Sequence, residues 1–301
     1  MNAQTKDRDL RDEWTVPCDA SGWVAVIRNV APYFLLLALA PLLARKSSVA
    51  PWLLAPLLGL FAYRITIVMH DCTHRTLFAS APLNTHVGRF LGAVTGIDFE
   101  SFKTQHWLHH RIYGQPGDPQ GFHYAGLSAM SAAKFHWHLI RPLLGLNLAH
   151  VFGESMLHPR NLRRLLGTGE IVAVGAVQTV ILVIVTGAGN HPALILLPVV
   201  STVTFGLWYS QLRGIAEHGV IGRKAEAGVV RSHAPYWLDQ ILLYDLNFNY
   251  HTEHHLYPSI PSCYLPAMHR ALQPTDAKFG ASMSDTIGLI YANIRSAHGK
   301  G

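Results

Sequence analysis

The sequence predicts an all-α integral membrane protein: four transmembrane helices in two hairpins, with a helical cap on one side. Three observations carry this. Half of the residues are hydrophobic and only 14% are charged, where a soluble chain carries about 25%. Four apolar stretches each approach the roughly 20 residues that cross a hydrocarbon core. Basic residues gather on one side of those stretches, so the formal charge of +6 reads as a basic cytoplasmic face.

The first two stretches are Val24–Ala44 and Val49–Met69, separated only by Arg45-Lys46-Ser47-Ser48. The second two are Glu170–Gly189 and Pro192–Leu212, separated by Asn190-His191. Links this short make helical hairpins. Buried helices of a soluble bundle are the plainer alternative, but the length and pairing of the runs favour spans. Arg28 and Arg64 lie inside the runs, close enough to an end for a long side chain to snorkel to the interface.

Between the hairpins, residues 70–168 carry Arg75, Arg89, Lys103, Arg111, Lys134 and Arg141, and Arg160, Arg163 and Arg164 follow. The opposite side has only Arg45-Lys46. The positive-inside rule therefore puts the middle segment and both termini in the cytoplasm. The run 86–99 is apolar but too short to span, and reads as interfacial or re-entrant. Ser80-Ala-Pro-Leu-Asn and Gly114-Gln-Pro-Gly-Asp-Pro read as turns. The expected organisation is a cytoplasmic tail over 1–22, one membrane domain over 23–275 and a second cytoplasmic tail over 276–301. Mixed charge in the first residues (Lys6, Asp7, Arg8, Asp9) does not resemble a signal peptide.

Composition excludes several classes. Cys18, Cys72 and Cys263 are odd in number and scattered, which argues against a disulfide framework or a thiolate metal site. No aromatic-rich RNA motif or basic arm supports nucleic-acid binding. The anomaly is 19 histidines, the commonest metal ligand.

Eight of them form three clusters: His70-Asp-Cys-Thr-His74, His106-Trp-Leu-His109-His110 and His251-Thr-Glu-His254-His255. Residues three and four apart share a helix face, so each cluster aims two or three imidazoles together. At this histidine content an HxxxH pair arises by chance about once per chain, and an HxxHH triplet in about one chain in a dozen. The repeated triplet is therefore the specific signal. Eight ligands leave two coordination spheres one short, and His218, just past the fourth stretch, is the candidate ninth. A split of four and five would hold two first-row metals. Imidazole suits zinc, copper, iron and nickel alike.

Ligating imidazoles usually give their other N–H to a carboxylate or carbonyl. Asp71, Glu100, Asp118, Glu217, Asp245 and Glu253 are the candidates, with Asn247 and Asn249 as supports near the third cluster. Trp107 reads as packing. His86, His123, His136, His138, His150 and His158 are irregularly spaced and read mostly as interfacial. Arg163-Arg164 has a lipid-phosphate reading, but basic residues beside a span need no such role.

The three boxes around paired hairpins resemble the membrane fatty acid desaturase and hydroxylase superfamily, which includes acyl desaturases, alkane hydroxylases and carotenoid ketolases. The stretch from Asn249 through His251-Thr-Glu-His-His to Pro261, followed by Leu265-Pro and His269-Arg-Ala-Leu, is most similar to bacterial acyl-lipid desaturases. The resemblance implies two iron ions (Fe2+/Fe3+), O2 as oxidant, a lipid or fatty acyl substrate, and the nine histidines as ligands. It implies a bacterial inner-membrane location. The chain has no cytochrome b5-type HPGG, no flavin or nicotinamide fingerprint and no CxxC rubredoxin module, so a separate electron donor such as ferredoxin or rubredoxin, with its reductase, is expected. The same boxes serve hydroxylation, ketolation and oxidative decarboxylation, which stay open beside desaturation. A non-enzymatic metal binder or transporter would want its ionisable residues along a path within the spans, and these histidines lie outside them.

Overall fold

A computed structural model describes Trp14 and residues 16–220, 229–272 and 282–298. Most of the expected 1–22 tail, and residues 276–281 and 299–301 of the second tail, lie outside the described residues. Among the described residues there is no β-strand, only a single bridge between Ile97 and Ser155.

Helix α1 spans Asp19–Ala44, starting five residues before the apolar run. A 3-10 turn, Ala50–Leu54, leads into α2, Ala55–His74. Pro51 and Pro56 sit in the first turns, where the missing N–H costs nothing. The second helix does not stop at Met69. It continues through the first histidine box and ends at Arg75, whose backbone is left-handed at φ 61°. His70 and His74 are thus carried on a rigid extension of a span.

Helix α3, Ala81–Thr95, corrects the turn expected at residues 80–84. Ser80 is extended and its side chain accepts the Leu83 N–H, so Ser80-Ala-Pro is an N-cap followed by a first-turn proline. Helix α4, Phe99–Ile112, carries the second box and is capped by Asp98, which accepts the Ser101 N–H at 2.8 Å. After α5, Ala132–Ile140, the chain enters α6, Pro159–Thr168, and bends by 108° at Gly169 into α7, Glu170–Val185.

The third span is shorter than its hydropathy suggests. Its 16 helical residues cover about 24 Å against a core of about 30 Å. Gly187, Ala188 and Gly189 all have positive φ, which ends the helix. By length and composition three helices can cross a membrane, or four if the bent pair α6–α7 counts as one span. The fourth run is continuous over Pro192–His218: a 3-10 turn, α8 (Leu196–Ser201), a π-helical turn Thr202–Gly206, and α9 (Leu207–His218). It extends six residues beyond Leu212 and delivers His218. Short helices α10 (Trp237–Leu242), α11 (His251–Leu256) and α12 (Leu265–Leu272) follow, then α13, Met283–His298. Ile290 and Ile294 of α13 are buried with Leu127, Phe135 and Ile215, so the expected tail holds a packed helix.

The main core lies among α1, α2, α3, α7 and α8, around Tyr33, Leu37, Leu58, Ile65, Leu91, Val185 and Leu197. Leu35, Leu42, Leu53, Val172 and Val199 point outward and are exposed, as lipid-facing residues of a membrane protein are. A second core of Tyr63, Ile67, Tyr244 and Phe248 lies beneath the third box. At the opposite end the two hairpin turns meet. A Cβ at Gly187, left-handed at φ 60°, would sit 2.8 Å from the Cβ of Pro41.

Close approach of α2 to the π-helical turn depends on Gly59. A Cβ there would lie 2.5 Å from the Cβ of Phe205 and 2.6 Å from the Ser201 carbonyl. Thr202 and Thr204 bond back four residues to the Pro198 and Val200 carbonyls, as hydroxyls on helices commonly do. Gly59→Val is expected to push the fourth span off α2, costing about 1–3 kcal/mol by overpacking. Thermal unfolding in detergent checks this, and an unchanged midpoint refutes it.

Arg28, nearly half exposed, and Arg64, enclosed, share a protein partner. Both contact Asp245, whose carboxylate is fully buried. Arg64 Nη2 lies 2.9 Å from Asp245 Oδ2, Asn29 donates to the same oxygen at 2.6 Å, and Arg64 also donates to the Ile241 carbonyl. The shared carboxylate ties α1 and α2 to the segment before the third box.

Candidate metal centre

All nine histidines converge at the end of the bundle where α1 begins and α2 and α9 finish. They form two groups. His70, His74, His106, His110 and His254 make the first, and His109, His218, His251 and His255 the second. Within each group one ring nitrogen per histidine lies within 4.8 Å of all the others.

Helical geometry explains the division. Residues i and i+4 lie about 40° apart around the axis, and i+3 lies about 100° from i+4. On α4, His106 and His110 therefore face the first group and His109 the second. On α11, His251 and His255 face the second and His254 the first. Each HxxHH box feeds both groups, while the HxxxH box on α2 feeds one. His218 at the end of α9 completes the second group, with its Nε2 3.0 Å from that of His251. The groups are adjacent: the rings of His110 and His255 are 4.3 Å apart between centroids.

The donor set fits metal cations. His106 Nε2 lies 2.8 Å from that of His74 and 2.9 Å from that of His110, which is in turn 3.2 Å from that of His254. A neutral imidazole has one N–H and one lone pair, so this chain of like atoms cannot pair itself fully. His74 Nδ1, His109 Nε2, His251 Nδ1 and both nitrogens of His255 are buried without a hydrogen-bond partner. Such groups cost about 1–3 kcal/mol each if left unpaired. Burial pulls His106, His251, His254 and His255 well below the ordinary imidazole pKa, and His110 down to about 3, so the lone pairs are available at neutral pH.

Two imidazoles have partners that orient them. His109 Nδ1 lies 2.9 Å from Asp118 Oδ1, and His218 Nδ1 lies 2.9 Å from the Val229 carbonyl. Asp118 is held by the hydroxyl of Tyr124 and by the N–H groups of Gly114, at 3.0 Å, and Gln120, at 2.9 Å. Burial raises its pKa, but the His109 contact and these donors together bring it down to about 2. Asp71 lies 3.4 Å from His70 Nδ1 and accepts the Ser262 hydroxyl at 2.7 Å. Glu217 Oε2 lies 3.4 Å from His251 Nε2 while its other oxygen accepts Arg213 Nε at 2.7 Å.

The remaining candidates point elsewhere. Glu253 bonds Ser232 and His269, because α11 turns it away from both groups. Glu100 pairs with Arg89, Asp245 with the two arginines, and Asn247 donates to the Ser262 carbonyl. Asn249 exchanges hydrogen bonds with His233, at 2.7 Å through its carbonyl and 3.1 Å through its side chain. His123 and His138 are buried, not interfacial; His138 Nε2 meets the His123 carbonyl at 2.7 Å. Arg164 pairs with Asp98 and Glu170. Trp107 packs on His74, with centroids 4.8 Å apart.

Sequence reasoning missed Tyr124, Ser262, Arg213 and Phe248. The Arg213 guanidinium lies 4.9 Å above the Phe248 ring, which packs 4.5 Å from His70. Arg213 and Glu217 are four apart on one helix, a signal that was available. Tyr124 and Ser262 sit in loops with no periodic signal.

Buried neutral histidines set a pH dependence. Burial holds His110 and His123 at about 3 and His233 at about 4 in the folded protein, against about 6.5 when unfolded. Above about 6.5 neither state is protonated and these groups add no slope. Below it the unfolded chain takes up protons that the folded chain refuses, so stability falls with pH until the folded values are reached. The midpoint of the metal-free protein is expected to drop steeply from pH about 6.5 to about 4. A flat profile across that window contradicts this.

The fatty acid desaturase profile matches residues 47–286. Similar curated proteins include the sphingolipid delta(4)-desaturase/C4-monooxygenase DES2 of Bos taurus, 26% identical over 221 residues, which cover 70% of this chain and 62% of that protein. The sphingolipid delta(4)-desaturase DES1 of Homo sapiens is 26% identical over 219 residues, 69% of this chain and 61% of that one. DES1 of Drosophila melanogaster is 26% identical over 219 residues, 70% and 63% respectively. The chain spans about three-fifths of the length of these relatives. With four-fifths of its residues inside the profile and its histidines drawn into two groups at the end of membrane-spanning helices, the chain belongs to the fatty acid desaturase family.

Proposed function

We propose that this chain is an O2-dependent desaturase that introduces a double bond into the alkyl chain of a membrane lipid, with two iron ions held by the nine histidines. The observation that carries this is the pair of adjacent imidazole groups, of five and four, at the end of the membrane helices. When bound, the metal pair supplies activation of O2 for removal of two hydrogens from adjacent methylenes. The overall balance is one O2, two external electrons and two protons in, and two waters out.

The chain's own residues prepare that chemistry. Burial keeps His106, His110, His251, His254 and His255 neutral. Asp118 and the Val229 carbonyl fix the rings of His109 and His218. Phe248 and Trp107 pack against the rings and keep water from them. Electrons come from a separate donor, a ferredoxin or rubredoxin whose acidic surface suits the basic face. By the positive-inside rule that face, the histidines and the chain ends are cytoplasmic, in a bacterial inner membrane.

Expression in cells lacking such an activity tests the reading. Lipid mass spectrometry is expected to show loss of two hydrogens from an acyl or alkyl chain, and pure protein to hold about two irons per chain. One zinc, or no metal, refutes it. One similar protein is named both a desaturase and a C4-monooxygenase, so hydroxylation by the same centre is the second reading. Gain of one oxygen without loss of hydrogen would identify it.

A further inference from the structure

A polar cavity of 390 Å³ lies beside the histidine centre but outside it. One wall is the face of α1 that carries Ser21 and Arg28; the others include Thr76, Gln240, Asn247 and Ser262. We infer that this cavity holds the monoanionic end of the lipid, a phosphodiester or a carboxylate, and that Arg28 is the residue that reads it. The inference deepens the desaturase reading and rests on it only for the claim that this lipid is the substrate.

Charge is the first argument. Two guanidiniums, Arg28 and Arg64, share the single carboxylate of Asp245, leaving one net positive charge. Every acceptor site of that carboxylate is engaged: Oδ1 by Arg28 and the Leu246 N–H, Oδ2 by Arg64 and Asn29. The Arg64 side chain is enclosed, whereas that of Arg28 is 46% exposed and lines the cavity. A guanidinium has five N–H donors, and the Asp245 contact uses a part of them. The remaining lining is uncharged, and the hydroxyls of Ser21, Thr76 and Ser262 already donate within the protein, so Arg28, with the amides of Gln240 and Asn247, is left to meet an anion, which suits one charge and not a polyanion.

Backbone strain is the second. Leu246 and Asn247, which line the cavity, are consecutive left-handed residues at φ 52° and 58°. For leucine this conformation is unfavourable and persists only where the surroundings enforce it, typically at a ligand site. Position is the third. Ser262 and Thr76 bond the carboxylate and the carbonyl of Asp71, next to His70. A headgroup seated here lies at the end of the spans, with its chain free to run along them beside the first histidine group.

The cavity carries its own reporters. Cys18 and Cys263 line it and are exposed, whereas Cys72 is buried. The test is the rate of maleimide labelling of these two thiols in the purified full chain, in neutral detergent. Mixed micelles with dioleoylphosphatidylglycerol, oleate or dioleoylglycerol are compared. Phosphatidylglycerol or oleate is expected to slow labelling at least about fivefold, and dioleoylglycerol to leave it unchanged. Whichever anion protects identifies the source, phospholipid or free fatty acid. Arg28→Gln is expected to abolish protection and Arg28→Lys to keep most of it. If Arg28→Gln fails to fold, Ser21→Trp, which fills the cavity from its exposed side, is expected to abolish protection at Cys263. Absence of protection, equal protection by dioleoylglycerol, or protection surviving Arg28→Gln overturns the inference. Iron content and alkene formation are read on the same preparations. Alkene without protection removes the headgroup site alone, and protection without alkene removes the desaturase reading alone.

Discussion

Replacing His254 with alanine is expected to empty one metal position and to reduce double-bond formation by more than about a thousandfold. His254 stands at the middle of the first group, its ring 4.7 Å from His70, 4.8 Å from His74 and 4.9 Å from His110. Loss of a merely supporting partner costs about 10–100-fold in metal affinity or activity, so removal of a central donor exceeds that range. Asp118→Asn supplies the comparison within the same protein. It keeps the shape beside His109 but removes the charge that accepts its N–H, and a loss of about 10–100-fold is expected. His136, exposed on α5, is the control, and His136→Ala should leave metal content unchanged. Iron per chain by elemental analysis and lipid product yield are the readouts. Full iron in His254→Ala, or equal losses in all three variants, would show that the two groups are not the metal centre.

That ordering of effects follows the way the site is encoded. The boxes were legible because ligand spacing along a helix is a local property: three and four residues fix which face an imidazole occupies before any tertiary contact forms. His218 was legible only by arithmetic, since its partner His251 is 33 residues away. The choice of Asp118 among six acidic candidates was not legible. It reaches His109 by folding a Gly-Pro loop back over nine residues, and Tyr124 and backbone N–H groups then decide its orientation. The third span shows the converse failure. Hydropathy counts Gly187-Ala188-Gly189 as apolar, but their left-handed backbone ends the helix and closes the hairpin against Pro41. In α13 the signal was present: Ile287, Ile290 and Ile294 recur at helical spacing, and two of them are buried.

Asp245→Asn is expected to be the most destabilising single change away from the histidines. The substitution keeps the volume and some hydrogen bonds, but leaves Arg28 and Arg64 facing each other around a neutral amide. Removing one partner from a buried ion pair costs about 3–5 kcal/mol because the other charge is stranded. Native proteins hold about 5–15 kcal/mol in all, so thermal unfolding in detergent should show a drop of about 10 °C. Arg28 can relieve part of the cost, since its side chain is nearly half exposed and long enough to reach water or headgroups. Arg64 is enclosed and donates to the Ile241 carbonyl, so it has no such exit. The double variant Asp245→Asn with Arg64→Met should therefore recover most of the lost midpoint, because a buried pair replaced by apolar volume is often neutral. Recovery distinguishes stranded charge from loss of the turn that the Oδ1 contact with the Leu246 N–H supports. If the double variant is as unstable as the single one, the turn and not the charge balance is what Asp245 provides. In that case box-three geometry, read as iron retained per chain, should fall in both.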